Sequence, residues 1–125
     1  MRSELQSLRI PSGWKITLND FFETDPSAHS PETDTSWWDF KEDMFHARLG
    51  DVCIDLGWYP EFKTHGAYRL VVVRGEDWDH PEVTFQSKFR VEIVAKLEEL
   101  LQEYGRLHSP DGEPGSAPGA LPGLC

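Results

Sequence analysis

The sequence predicts an α+β domain, in which an antiparallel four-stranded sheet carries one long C-terminal helix on one face. Residues 51–61 and 68–74 both have the pattern of strands, and the short loop between them indicates a central hairpin. Residues 88–104 change to the apolar spacing of a helix, which can cover the sheet. With 125 residues, the chain has room for one domain and one core.

Two further strands are predicted before the hairpin. Residues 14–22 form the first, because apolar side chains occupy alternate positions at its start. These side chains, expected on one face, are Trp14, Ile16 and Leu18. As a helix, residues 37–49 would have only an irregular apolar stripe. As a strand, they would have apolar and polar residues on both faces. The Gly50–Asp51 pair that follows is typical of a hairpin turn, because both residue types tolerate its backbone angles, and this favours a strand.

The third and fourth strands form the hairpin. Along residues 52–59, successive side chains fall on opposite faces, because side chains alternate along a strand. The apolar face consists of Val52, Ile54, Leu56 and Trp58, and the other face of Cys53, Asp55, Gly57 and Tyr59. Three consecutive valines at 71–73 indicate that the fourth strand is buried on both faces, which predicts an interior position in the sheet.

The C-terminal helix is the most strongly patterned element of the chain. Ser87 is the predicted N-cap, since its hydroxyl can accept hydrogen bonds from the free amides of a first turn, and Gly105 is the predicted residue after the last turn. The stripe predicted to pack on the sheet is Phe89, Ile93, Leu97, Leu100 and Tyr104. The helix is therefore predicted to belong to the core.

These elements give a simple division of the chain. Residues 1–10 form an N-terminal segment, and residues 11–106 form the single domain. Residues 107–125 are predicted to be a disordered tail, because four prolines and four glycines fall between 109 and 125. Residues 75–84, before the helix, are predicted to be an acidic loop.

The charge of the chain disfavours several classes of partner. The formal net charge is -10 and the isoelectric point is near 4.8, so nucleic acid phosphates and anionic membrane surfaces would be repelled. Between residues 20 and 61, eleven acidic residues face only two basic ones. Clustered acid of this kind favours a basic protein partner, although a solvated acidic loop has the same composition.

The two cysteines, Cys53 and Cys125, are too few for a disulfide framework. We predict that both are free thiols in a reducing cytoplasm. The sequence contains neither an N-terminal apolar run typical of a signal peptide nor a stretch of 18 apolar residues. A cytoplasmic location is therefore expected.

No motif in the sequence specifies a reaction. Asp77, Asp79 and His80 lie close together, but their spacing matches neither a zinc site nor a calcium loop. Cys53 would need exposure and an activating base, and a position within an apolar strand predicts an inert thiol. We therefore predict no catalytic residue, no metal site and no cofactor. A small enzyme that uses carboxylates or histidine stays open as the third function class.

The residues best suited to contact a partner combine aromatic and acidic side chains at or after strand ends. The predicted partner-binding set is Asp55, Trp58, Tyr59, Glu61, Glu76, Asp77, Trp78 and Asp79. Exposed aromatic rings can anchor an interface while carboxylates steer a basic partner towards it. The alternative is that Trp58 and Trp78 are core residues that seal the end of the sheet under the helix.

The order of several strings resembles small acidic bacterial immunity proteins, which neutralise the toxin domains of polymorphic and contact-dependent toxin systems. The strings are Gly13-Trp14-Lys15-Ile16, Trp38-x-Phe40-x-Glu42-Asp43, Ile54-Asp55-Leu56-Gly57-Trp58-Tyr59-Pro60, Tyr68-Arg69-Leu70, Asp77-Trp78 and Pro81, followed by the amphipathic helix. The resemblance covers about residues 11–104, and its most specific part is residues 55–60. It implies a single-domain cytoplasmic inhibitor without chemistry of its own, which binds a cognate toxin, commonly a basic nuclease, over or beside the active site.

The leading hypothesis is therefore an immunity-type inhibitor that binds a basic, nuclease-like toxin by surface occlusion. The alternative is a non-catalytic binding or adaptor module for another basic protein of the cell. Both would use the same acidic and aromatic residues, so the identity of the partner separates them.

Overall fold

The computed structural model describes residues 4–26, 37 and 39–107, which form one antiparallel sheet and one helix. The elements are β1 Lys15–Asn19, β2 Phe45–Leu49, β3 Val52–Tyr59, β4 Ala67–Arg74, β5 Val83–Ser87 and α1 Arg90–Leu107. The strands lie side by side in chain order. The α+β class with one helix is confirmed, but the prediction of four strands is wrong, because the sheet has five. The predicted disorder of 107–125 falls outside the described residues, apart from Leu107 at the end of α1.

The strand missed by the sequence prediction is β5. Its residues were predicted to belong to an acidic loop and to the N-cap of the helix. In the structure, the strand pairs with β4 from Tyr68↔Ser87 to Val72↔Val83. Val83 and Phe85 pack against the core, whereas Thr84 between them is exposed. The strand is only five residues long, and it forms because β4 would otherwise present an unpaired edge of backbone donors and acceptors.

The central hairpin is confirmed. β3 and β4 pair antiparallel over eight residues, from Val52↔Arg74 to Tyr59↔Ala67, and β4 occupies the predicted interior position between β3 and β5. The predicted turn before β3 is also present, with Gly50 at a φ of 62°. Such a positive φ favours glycine because a Cβ atom would be crowded there.

The second strand is shorter than the predicted 37–49, because regular pairing begins only at Phe45. Residues 40–44 still run beside β3, where Met44 N–H donates to the Leu56 carbonyl at 3.0 Å and Trp58 N–H donates to the Lys41 carbonyl at 2.8 Å. The approach is closest at Gly57, where an added Cβ would lie 2.0 Å from the Glu42 carbonyl oxygen. Glycine in the middle of this strand therefore permits contact between two backbones.

In the first strand, the expected alternation fails after Ile16. Ile16 pairs with Ala47, but an irregularity in register follows, and Leu18 pairs with His46. Ala47 belongs to the core, whereas His46 lies on the opposite face of the sheet, so Ile16 and Leu18 are on different faces. The prediction that both face the same side is wrong. The strand also ends at Asn19 rather than at residue 22.

The N-terminal segment contacts residues that follow β1. Leu5 forms a bridge with Phe22, and Gln6 N–H donates to the Phe21 carbonyl at 2.8 Å. Further along, the Trp14 indole N–H donates to the Leu101 carbonyl of α1 at 3.0 Å, which fixes the start of β1 against the helix.

The helix begins at Arg90, two residues later than predicted. Its core contacts are Ile93, Leu97, Leu100, Leu101 and Tyr104, which confirms the predicted stripe except at its first residue. Phe89 is 66% exposed because it precedes the helix and only its carbonyl accepts a helical bond, from Ile93 N–H. The Ser87 hydroxyl accepts a hydrogen bond from Phe89 N–H at 2.9 Å, so it caps the approach to the helix from within β5.

An aromatic cluster fills the core near the end of β3. The ring centroids of Phe40 and Trp58, and of Trp58 and Tyr68, are 5.1 Å apart, and Trp37 packs 5.1 Å from Phe40. Trp58 is 1% exposed, and its indole N–H donates to the Lys63 carbonyl at 2.8 Å. Tilted and edge-on contacts of this kind contribute beyond the apolar area that the rings bury.

The predicted free thiol at Cys53 is wrong, because Cys53 is disulfide-bonded. The same prediction for Cys125 falls outside the described residues. Within residues 4–26, 37 and 39–107, no helix has the length and hydrophobicity that a membrane span requires.

Candidate functional site

The predicted partner-binding residues do not form one surface. β3 and β4 are antiparallel, so Tyr59 and Glu61 lie at one end of the hairpin and Asp55 lies near its middle, while residues 75–82, here called the acidic loop, lie beyond the other end. The eight paired residues of β3 extend over roughly 26 Å at about 3.3 Å per residue. A partner of ordinary size could contact either group, but the two do not make a single hot spot.

The structure also separates the two tryptophans that were proposed as anchors. Trp58 is a core residue, so the alternative interpretation is confirmed for it and it is not available to a partner. Trp78 lies in the acidic loop and is 42% exposed, so the core alternative is wrong for this residue. Trp78 is therefore the predicted anchor that can reach a partner.

The acidic loop begins with a tight turn. Gly75 and Glu76 have φ angles of 63° and 61°, and Asp77 N–H donates to the Arg74 carbonyl at 3.3 Å, as in a type I′ turn. Two further backbone hydrogen bonds then hold the loop. Trp78 N–H donates to the Glu76 carbonyl at 3.0 Å, and His80 N–H donates to the Asp77 carbonyl. A glutamate in the left-handed region is uncommon and costs roughly 1 kcal/mol or more.

The carboxylates of the acidic loop divide into two kinds. Glu82 accepts hydrogen bonds from the Arg74 guanidinium at 2.7 Å and from the Tyr104 hydroxyl at 2.8 Å, and the bond from Arg74 is the main reason why the pKa of Glu82 is lowered. Glu82 thus fastens the loop to the helix.

The carboxylates of Glu76, Asp77 and Asp79 are all exposed. Of the ionic contacts within the described ranges, only one involves these three, between Asp77 and the His80 imidazole at 3.1 Å. No described lysine or arginine neutralises them, so they present a negative surface around Trp78.

Near the middle of β3, the fold assembles a cluster that we did not predict. His46 on β2 pairs with Asp55 on β3, and its Nε2 atom contacts the Asp55 carboxylate and lies 3.6 Å from Asp43. The hydrogen bond that the His46 imidazole donates to the Asp55 carboxylate is the largest cause of the raised pKa of His46, and burial acts in the opposite direction. The Gly50–Asp51 turn was the available clue, because a hairpin built on it places residues 46 and 55 opposite one another.

This carboxylate–histidine cluster could hold a cation. Asp43, His46 and Asp55 each offer one ligand atom, and these atoms lie within 4.8 Å of one another. Two carboxylate oxygens and an imidazole nitrogen are suitable donors for a divalent transition metal. A protonated His46 can form ion pairs with both carboxylates without a metal ion. These ion pairs explain why the three side chains lie together.

We expect the carboxylate–histidine cluster to make stability depend on pH. The folded pKa of His46 lies above the ordinary value of 6.5, so the stabilisation is complete below that value and is lost as pH rises through the folded pKa. Denaturant unfolding at about pH 5 and about pH 8 should therefore show wild-type protein losing stability relative to His46→Gln. Equal pH dependence of the two proteins would contradict this prediction, and an NMR titration of the imidazole would locate the folded pKa.

Two other residues of the predicted set have structural contacts. The Tyr59 hydroxyl donates to the Glu42 carbonyl at 3.3 Å, and a Glu61 carboxylate oxygen accepts from Glu42 N–H at 3.1 Å. Both side chains thus hold the irregular segment 40–44 against β3. Burial is the main reason why the pKa of Tyr59 is raised.

Comparison with known proteins adds no relative to this description. No protein-family model, no curated protein and no solved structure matches the chain.

Proposed function

We propose that the protein is an immunity-type inhibitor, which neutralises a basic toxin by placing its acidic loop against the toxin surface. The observation that carries the proposal is the exposed ring of Trp78, 42% accessible, among the carboxylates of Glu76, Asp77 and Asp79. Buried interface aromatics commonly supply much of the binding energy, and surrounding charges select and steer the partner.

The overall charge of the chain supports the same kind of partner. A formal net charge of -10 attracts a basic protein over several ångströms in solution and repels the nucleic acid that a nuclease toxin would bind. The inhibitor needs no catalytic residue and no cofactor, because occupancy of a basic substrate-binding groove is sufficient to stop the reaction.

The backbone of the acidic loop gives a second argument. Glu76 occupies a left-handed conformation that glycine would adopt more easily. Strained residues of this kind are concentrated at functional sites, where the side chain is needed despite its cost. Glu76→Gly should therefore increase the free energy of unfolding by about 0.5–1 kcal/mol, and on this proposal it should weaken binding to the toxin.

The proposal is tested by capture and then by inhibition. Immobilised full-length protein is exposed to lysate of the cells that produce it, and the retained proteins are identified after low-salt and high-salt washes. We expect one basic protein at a near one-to-one ratio, released by salt because exposed charges are screened. Its purified enzymatic activity should fall to zero as one equivalent of the inhibitor is added.

Charge reversal then identifies the surface. Replacing Glu76, Asp77 and Asp79 together by lysine should weaken binding by at least about 100-fold, since close charge pairs can contribute a few kcal/mol. The matched control reverses Glu4, Glu23 and Glu99, which are exposed, lie outside the acidic loop and change the net charge equally. Equal losses in both triple variants would leave only a net-charge effect and contradict a specific role for the loop.

Trp78→Ala separates the anchor from the charges. We expect it to weaken binding by roughly 30-fold or more, as for a hot-spot aromatic residue, with little change in the salt dependence. A partner that lacks toxin activity and belongs to a housekeeping assembly would favour the adaptor function instead. The predicted cytoplasmic location is part of the proposal, and fractionation of the producing cells tests it.

A further inference from the structure

One edge of the sheet, here called the open edge, is formed by β5. Within residues 4–26, 37 and 39–107, β5 is the last strand of the sheet, and it pairs with β4 along its whole length. Every second residue of such a strand directs its backbone N–H and C=O groups away from the neighbouring strand. These groups are available for hydrogen bonds to a sixth strand.

The open edge lacks the features that protect most edge strands. Natural edge strands carry charged residues, prolines or bulges, which hinder pairing with another chain. β1, at the opposite edge of the sheet, has Lys15 and an irregular register after Ile16. β5 has the sequence Val-Thr-Phe-Gln-Ser, without charge or proline, and it pairs with β4 in regular register. β5 is therefore better suited than β1 to accept a strand.

One side of α1 runs along β5. The Ser87 hydroxyl donates to the Glu92 carboxylate at 2.6 Å. The Lys96 Nζ atom lies 5.8 Å from the centroid of the Phe85 ring. Residues four apart lie on the same side of a helix, so these two contacts define the flank of α1 that borders the open edge.

The charge of this flank is negative. Lys96 pairs with Glu99 at 3.4 Å, whereas no lysine or arginine in the described ranges pairs with Glu92 or Glu103. Glu103 follows Lys96 by about two helical turns, which returns it to the same flank. Both unpaired carboxylates are exposed, and the acidic loop adds three more exposed carboxylates where β5 begins. The open edge is thus bordered by acid along the helix and at one end.

The other side of the open edge is uncharged. Thr84 and Gln86 are the residues of β5 that alternate with the core-facing ones, and both are exposed. A sixth strand would alternate in the same way, with one set of side chains towards the flank of α1 and the other beside Thr84 and Gln86. The strand that fits has basic residues at every second position and uncharged polar or β-branched residues between them.

We propose that the partner adds an extended basic segment to the open edge as a sixth strand. Backbone hydrogen bonds to β5 hold the segment, and its alternate basic side chains meet Glu92 and Glu103. One end of the segment reaches the acidic loop, which brings the partner to Trp78. The identity of the partner comes from the proposed function, on which this inference rests.

Two synthetic peptides test the open edge. One has roughly eight residues that alternate lysine with threonine, and the other has the same composition with all lysines in one block. Both peptides carry the same charge, but only the alternating one forms a strand with one basic face. In NMR titrations of isotope-labelled full-length protein, we expect the alternating peptide to bind at least about 10-fold more tightly. The β5 amides should show the largest shifts and slower hydrogen exchange.

Three results would overturn the proposal. Equal affinities of the two peptides, or shifts confined to the acidic loop, would show that charge attraction alone acts. Absence of binding of the alternating peptide would show that the open edge does not accept a strand. Protection of the β5 amides that increases with protein concentration, without any peptide, would assign the edge to a second copy of the chain.

A pair of double variants tests the flank of α1. Glu92→Gln together with Glu103→Gln removes both carboxylates but keeps the side-chain size, and it should weaken the alternating peptide by about 3–10-fold, because exposed charge pairs are individually weak. The control, Glu4→Gln together with Glu23→Gln, changes the net charge equally at exposed positions outside β5 and α1. Equal losses in the two double variants would contradict contact between the segment and this flank.

The peptide result and the inhibition result separate this proposal from the proposed function. If the alternating peptide binds at β5 and no toxin is captured, the open edge is supported and the inhibitor function fails. If a captured toxin is inhibited while the β5 amides gain no protection in the complex, the inhibitor function is supported and the sixth strand is excluded.

Discussion

Gly57→Ala should lower the free energy of unfolding by about 3 kcal/mol or more, because overpacking against a rigid neighbour is among the costlier substitutions. The added Cβ would lie 2.0 Å from the carbonyl oxygen and 2.7 Å from the carbonyl carbon of Glu42. Both atoms are backbone, so no rotamer change can relieve the clash, and β3 must separate from residues 40–44. The separation would break the flanking hydrogen bonds of Met44 and Trp58. Denaturant unfolding monitored by circular dichroism measures the loss.

A second glycine provides the control for Gly57. Gly75 has a φ of 63°, and no atom lies within 4 Å of the position of its Cβ. Gly75→Ala should therefore cost only the conformational strain, about 1 kcal/mol. If both alanine variants lost the same amount, the close approach of the two backbones would not be the reason for glycine at position 57.

Trp58→Ala should destabilise the protein by about 3–5 kcal/mol, the range for removal of a large aromatic side chain from a core. Its ring packs 5.1 Å from both Phe40 and Tyr68, so the substitution leaves a cavity between two parts of the chain that are distant in sequence. Typical domains are stable by only 5–15 kcal/mol, so the variant should be partly unfolded at physiological temperature. Thermal and denaturant unfolding measure this effect.

Two variants identify the source of the loss at Trp58. Trp58→Phe keeps much of the ring packing but removes the donor to the Lys63 carbonyl, so it should cost about 1–3 kcal/mol. Trp78→Ala should change stability by less than about 0.5 kcal/mol, because the ring is exposed. A large loss of stability for Trp78→Ala would contradict its assignment to the partner surface.

The elements predicted from sequence are those whose pattern follows from their own residues. α1 has an apolar stripe with the period of a helix, and β3 has its large apolar residues at alternate positions, so each pattern indicates one type of structure. The three consecutive valines of β4 indicated burial on both faces of the sheet, and this predicted its interior position among the strands. The Gly50–Asp51 turn then joined β2 to β3.

The elements that were missed depend on partners elsewhere in the chain. β5 has five residues, and it is a strand because the edge of β4 is available to it. Residues 40–44 look like part of β2, but their course is set by the close approach to Gly57. The irregular register after Ile16 likewise arises between two strands, and a single strand does not encode it.

The candidate site divides in the same way. Sequence alone determined that the chain is acidic, that its acid is clustered, and that Trp78 lies among carboxylates, because composition and order are sufficient for these statements. Only the tertiary structure decided that Trp58 is in the core and Trp78 is exposed, and that His46 meets Asp55. Exposure and side-chain proximity depend on which segments the sheet brings together, and strand pairing joins residues that are distant in the chain.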